Sequence, residues 1–241
     1  MSHAAIVMPI ALGTTLATMI GGLFALLLRD RLHLVLGFSA GAVIGVAFFD
    51  LLPEALETGG SMGTRLVLEV TALGFFLYTL VDRWVLSHSH DGHQNRSEMR
   101  GWIGAGSFSL HSVMDGFAIG VAFQASRAVG LIVAVAVLVH DFSDGLNTVN
   151  VVVANGGERK AALRWLLLDA VAPLIGAGIS LFFAFPKDRL SLVLALFAGF
   201  FLYIGAADLL PESQHAHPRF FTTVATLLGA AVLFAAIRLT S

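Results

Sequence analysis

The sequence predicts an all-α integral membrane protein, with eight transmembrane helices in one domain over residues 1–241, arranged as a 3+2+3 inverted repeat. Three observations lead there. Of the 241 residues, 57% are hydrophobic and 12% charged, and the mean hydropathy is +0.85, far more apolar than a soluble mixture. Apolar runs long enough to cross a hydrocarbon layer of ~30 Å, which takes about 20 helical residues, recur along the whole chain. Two motifs each occur twice, at places that an inverted repeat would relate. The formal charge of −2 gives no reason to expect nucleic acid as a partner, and the absence of cysteine removes disulfides and thiolate metal ligands.

The first run, Ala4–Leu28, has no charged segment before it and is too long for a signal-peptide core, so it reads as a retained span. Leu34–Leu56 follows and closes on a Gly59-Gly60 turn, then Leu66–Leu86. The longest connection, about 87–99, leads into Gly101–Phe123, Val129–Ala154, Leu163–Phe185, Leu190–Leu210 and Phe220–Ile237. Nine Lys and Arg residues lie in or beside the odd-numbered connections, and five beside the even ones and the C-terminus. That bias puts the odd connections in the cytoplasm and both termini outside. The expected location is the plasma (inner) membrane of a prokaryote, with the lipid bilayer as surroundings.

Four aspartates, Asp115, Asp141, Asp144 and Asp169, fall within these spans. Each costs roughly 2.5–3.5 kcal/mol at a helix centre, while all fourteen basic residues fall in connections or at span ends. Unpaired, such acids either take up protons or recruit a cation. Two histidines among them favour a metal. His111 and Asp115 stand at i and i+4 on one helix face with Ser112 alongside, and His140, Asp141 and Asp144 follow the same rule in the next span. Both segments read His-x-x-x-Asp-Gly. Imidazole and carboxylate without sulfur suit a borderline divalent ion such as Zn²⁺, Fe²⁺, Mn²⁺ or Cd²⁺. Asp169, four residues before Pro173, is placed to complete the site or to satisfy a freed backbone group.

The second motif is Asp50-Leu-Leu-Pro53-Glu54, at the end of the second span, repeated as Asp208-Leu-Leu-Pro211-Glu212 at the end of the seventh. Spans two and seven run in opposite directions, as do four and five, so both pairings imply inversion, a feature of secondary transporters with a site near the midplane. Asp50, Glu54 and Glu57 then face one side of the membrane, and Asp208 and Glu212 the other, as acidic funnels for cations. The loop histidines His88, His90 and His93 are spaced for loose metal capture.

On these motifs the chain resembles the ZIP family of divalent-metal transporters over nearly its whole length. The family's fourth-span motif, His-Asn-x-Pro-Glu-Gly, is matched by His111, Ser112, Asp115 and Gly116, and its fifth-span ligands by His140, Asp141 and Asp144. Met114 and Ser143 stand where the family has prolines, and both family glutamates are aspartates. The shorter arms require closer helices, which Gly116 and Gly145 allow. The resemblance implies eight spans, outward termini, a two-metal site bridged by Asp115 and Asp144, and a block of spans one, four, five and six that moves against the others. Transport of Zn²⁺ toward the cytoplasm by alternating access is expected, with the ion as substrate, no cofactor, and a homodimer allowed. Two other readings stay open. One is an intramembrane zinc-dependent hydrolase; the other is a proton-coupled carrier of an organic cation.

Overall fold

The structure, a computed structural model, describes residues 3–26, 32–60, 63–87, 95–214 and 220–240. Among these residues there is no strand. The helices are α1 (His3–Ala25), α2 (Leu32–Val46), α3 (Leu52–Gly59), α4 (Thr64–Ser87), α5 (Asn95–Ala125), α6 (Arg127–Ala154), α7 (Arg159–Ser180), α8 (Lys187–Tyr203), α9 (Leu210–Gln214) and α10 (Phe220–Thr240). Two short π-helical segments, Ala47–Leu51 and Ile204–Leu209, join α2 to α3 and α8 to α9, so each of those pairs is one span. Seven of the resulting helices are long and apolar enough to cross a membrane. The remaining one, α5, has ample length at 31 residues but is less apolar, because it carries polar and charged side chains such as Ser109, His111, Ser112 and Asp115. It begins at Asn95, so the connection before it is shorter than the sequence pattern predicts.

The π segments have a cause in the sequence. Pro53 and Pro211 lack an N–H to return to the preceding turn, and in both copies of Asp-Leu-Leu-Pro-Glu the widened turn ends two residues before the proline. The repeat is therefore one of backbone as well as of sequence. Met114 and Ser143, by contrast, keep their N–H groups, and α5 and α6 run as unbroken α-helix through the site.

Contacts divide the molecule into two bundles. In one, α1 packs on α6, α7 on α5, and α5 on α6; in the other, α2 packs on α10, α4 on α8, and α3 on α8. Fewer contacts join the bundles, chiefly α2 with α6 and α5 with α8. The tightest approaches within each bundle follow a single rule. Gly21 lies against the Phe142 carbonyl and Gly145 against that of Thr18, where α1 crosses α6. Where α7 crosses α5, Gly176 meets the Val113 carbonyl and Gly116 that of Pro173. Gly41 meets Thr226 and Gly229 meets Phe38 between α2 and α10, and Gly199 meets Thr71 and Gly74 meets Leu196 between α8 and α4. In all four crossings the carbonyl that receives one glycine stands three residues before the other. A Cβ at any of these positions would fall on that carbonyl, so only glycine permits the approach. Gly41 and Gly199 stand at the same distance before Asp50 and Asp208, as Gly116 and Gly145 follow the two His-x-x-x-Asp segments. The 3+2+3 repeat is thus written into the contacts.

Candidate metal centre

The unbroken α5 and α6 lie side by side, and the spacing of their polar residues turns the two His-x-x-x-Asp segments toward each other. His111, Asp115, His140 and Asp144 each bring one ligand atom into a group whose members all lie within 4.8 Å of one another. Asp115 Oδ2 is 3.1 Å from His111 Nε2 and 3.3 Å from His140 Nε2. Asp144 Oδ2 is 3.5 and 3.8 Å from the same two nitrogens. Four ligands held at about 2.0–2.2 Å from one ion in a tetrahedron would stand roughly 3.4 Å apart, so these separations are close to those of a His₂Asp₂ site.

All four side chains are buried, the most exposed at 4%. His140 is oriented by a hydrogen bond, its Nδ1 donating to the Ala136 carbonyl at 2.9 Å. A carbonyl only accepts, so Nδ1 carries a proton and the ring turns Nε2 toward the acids, 3.3 Å from Asp115 Oδ2. Several other atoms of the group have no hydrogen-bond partner in the protein. Both ring nitrogens of His111, Asp115 Oδ1 and Asp144 Oδ2 are buried without a hydrogen bond, as are both carboxylate oxygens of Asp141. Among the described residues no lysine or arginine is buried. Buried carboxylates at this density, with no lysine or arginine among them, have the donor chemistry that a cation would complete.

Asp141 is fully buried behind His140, with Oδ1 at 3.8 Å from its Nε2. Asp169 and Ser112 form a different arrangement. Asp169 enters from α7 and accepts hydrogen bonds from Ser112 Oγ of α5 at 2.8 Å and from Thr148 Oγ1 of α6 at 2.7 Å. One carboxylate thereby ties three helices behind the ligands. Thr148 did not emerge from motif reading, although it lies four residues after Asp144 and is polar within an apolar span. Thr148→Val keeps the shape and removes one donor from a buried carboxylate, a loss worth about 1–3 kcal/mol. Thermal unfolding of the purified variant should show a midpoint lower by about 2–4 °C for each kcal/mol.

The acids of the second motif stand at the two ends of the molecule. Glu54 accepts from Thr58 Oγ1 at 3.1 Å and, with Glu57, Gln124 and Lys187, lines a cavity of about 430 Å³. Glu212 lines another of about 250 Å³ at the opposite end, with Asn147, Asn150 and Asn155. Asp50 is buried in its π segment, with Oδ2 lacking a hydrogen bond. Asp208 lies in the matching segment, though its side chain is not among those described, and His88, His90 and His93 lie outside the described residues.

The two ends are not alike. Toward Glu54, the site is covered by Ala118, Ile119, Ala122, Val133 and Val137, in one apolar cluster with Val43, Leu51 and Phe197. Toward Glu212, Asn147 and Asn150 continue the polar side of α6 from Asp144 into the cavity.

Comparison with known proteins supplies the family. The family model described as "ZIP Zinc transporter" matches residues 86–236. The chain is similar to zinc transporter ZIP13 of Pongo abelii, 26% identical over an alignment of 221 positions that covers 86% of this chain and 64% of that protein. It is 30% identical over 136 residues to zinc transporter ZIP6 of Homo sapiens, covering 53% of this chain and 18% of the relative. Zinc transporter YKE4 of Saccharomyces cerevisiae is 22% identical over 215 residues, 76% of this chain and 62% of that one. The chain thus spans less than two thirds of the length of each of these relatives.

Proposed function

Since the chain belongs to the ZIP zinc transporter family, and is an all-α protein of the membrane, we propose that it carries a divalent transition-metal ion, Zn²⁺ in the first place, across the bilayer. One observation carries the proposal: His111, Asp115, His140 and Asp144 converge in a buried group with no buried lysine or arginine among the described residues. Two carboxylates cancel the charge of a dication, and two imidazole nitrogens complete the exchange of its hydration shell for protein ligands. Asp141 adds negative charge behind them. Asp115 and Asp144, each within reach of both imidazoles, take the shared positions.

With both termini outside, the Glu54 cavity is the outer vestibule and the Glu212 cavity the inner one. Asp50 and Glu54 gather ions on the first side; Asp208 and Glu212 receive them on the second. The described arrangement reads as inward-facing, with the apolar cluster toward the outer end and Asn147 and Asn150, which follow Asp144 along α6, lining the inner cavity. Alternating access follows if the α1, α5, α6 and α7 bundle moves against the other across their less extensive interface. A glutamate-bearing cavity at each end suits vectorial movement better than an asymmetric hydrolysis. A second copy of the chain remains a partner of this reading, as does the plasma membrane as its location.

Zn²⁺ uptake into proteoliposomes containing the purified protein tests the proposal. The wild type should fill the vesicles with Zn²⁺, and His111→Ala and Asp144→Ala, if folded, should lose most of that flux. Equal flux in wild type and both variants would place the pathway elsewhere.

A further inference from the structure

Ser39 belongs to α2, yet its hydroxyl ends on α6. The residue is fully buried, and its Oγ donates to the Val139 carbonyl at 3.1 Å while lying 2.9 Å from Ser143 Oγ. A hydroxyl has one proton to give, so with that proton on the carbonyl the second contact has Ser143 donating to Ser39. Val139 immediately precedes His140 and Ser143 immediately precedes Asp144. Ser39 therefore grips the turn of α6 that bears two of the four converging side chains.

This contact crosses from one bundle to the other. Ser191 makes a similar bond to the Ala55 carbonyl, but within the second bundle, whereas α2 and α6 belong to different bundles. Val43, one turn beyond Ser39 on α2, and Val137, two residues before Val139 on α6, are apolar and fully buried and offer no polar group to replace the bond. The bond is also specific for one register. Sliding α6 by a single residue, about 1.5 Å, takes both contacts out of hydrogen-bond range or alignment.

We propose that Ser39 is a positioning residue for transport, a latch that holds the Val139–Ser143 turn in the inward-facing arrangement and must open whenever the two bundles move past each other. The inference rests on the transport reading above and adds to it a rate-setting role for a residue outside the ligand group. Ser143 supplies the other half of the latch.

The test measures Zn²⁺ uptake by proteoliposomes of wild type, Ser39→Ala, Ser143→Ala and the double variant, separating maximal rate from KM, together with equilibrium Zn²⁺ binding by the purified proteins. Loss of one buried hydrogen bond lowers the barrier for leaving this state, so Ser39→Ala should raise the maximal rate by about fivefold. KM and equilibrium affinity should stay as in the wild type, which a mere packing role would not ensure, and the double variant should be no faster than Ser39→Ala. Unchanged maximal rates in the single variants, or a change in affinity without a change in rate, overturn the latch. Should Ser39→Ala not fold, Ser143→Ala alone decides, since it removes one of the two contacts and should give a smaller increase; no increase overturns the latch. Failure of the wild type to take up Zn²⁺ removes the transport reading and the latch with it, whereas uptake by wild type with unaltered variants removes the latch alone.

Discussion

Asp115→Ala should reduce Zn²⁺ uptake more than any other single change in the ligand group, by about 100- to 1,000-fold, the equivalent of losing one partner of a buried charged pair. The reason is geometric. Its Oδ2 is the one carboxylate oxygen within 3.3 Å of both imidazoles, so it is the atom around which the site closes. Asp144 approaches the same nitrogens at 3.5 and 3.8 Å and is expected to matter somewhat less. Asp115→Asn separates shape from charge: it keeps the side chain's outline and removes the negative charge that balances a dication. Uptake should fall nearly as far as in the alanine variant, and equilibrium Zn²⁺ binding should weaken in parallel. Normal uptake by Asp115→Asn would show that charge neutralisation is not what this residue supplies.

The largest effects on folding are expected at the glycines of the helix crossings, Gly145 among them. A Cβ there falls on the Thr18 carbonyl of α1, a backbone atom that cannot turn aside as a side chain can. Gly145→Ala should destabilise the protein by about 1–3 kcal/mol, in the range of an overpacked core. Gly145→Leu should exceed about 4 kcal/mol and leave little folded protein. Gly178→Ala is the internal control, because a Cβ there meets nothing within 4 Å. Its effect should be neutral or favourable by about 0.5–1 kcal/mol, since alanine is the better helix former. Monodisperse yield in detergent and thermal unfolding measure all three. Equal stability of Gly145→Leu and Gly178→Ala would mean that α1 and α6 do not approach as closely as described.

Much of this was legible in the sequence because hydrophobic length and repeated polar spacing are strong signals. Eight apolar runs gave the spans, and His-x-x-x-Asp at helical spacing placed His111, Asp115, His140 and Asp144 on facing sides of two helices. The part that stayed hidden depends on neighbours distant in the chain. Asp169 is one example: its sequence position next to Pro173 does not reveal that Ser112 and Thr148 both donate to it, because those donors come from α5 and α6. Ser39 is another, a lone hydroxyl in an apolar run whose partner lies 100 residues away. The π segments were marked in sequence only by the prolines that follow them, which signal a disturbed turn without saying which kind. The start of α5 at Asn95 was missed for a simpler reason. The polar stretch before Gly101 reads as a loop by hydropathy, yet nothing in it forbids helix.

The glycine crossings also reduce the number of independent experiments the molecule requires. Because Gly116 corresponds to Gly145, Gly176 to Gly21, Gly41 to Gly199 and Gly229 to Gly74, eight positions amount to four questions, each asked twice. A tolerance profile measured on one half of the chain forecasts the other. Any position where the two halves disagree marks where function, rather than architecture, has broken the duplication.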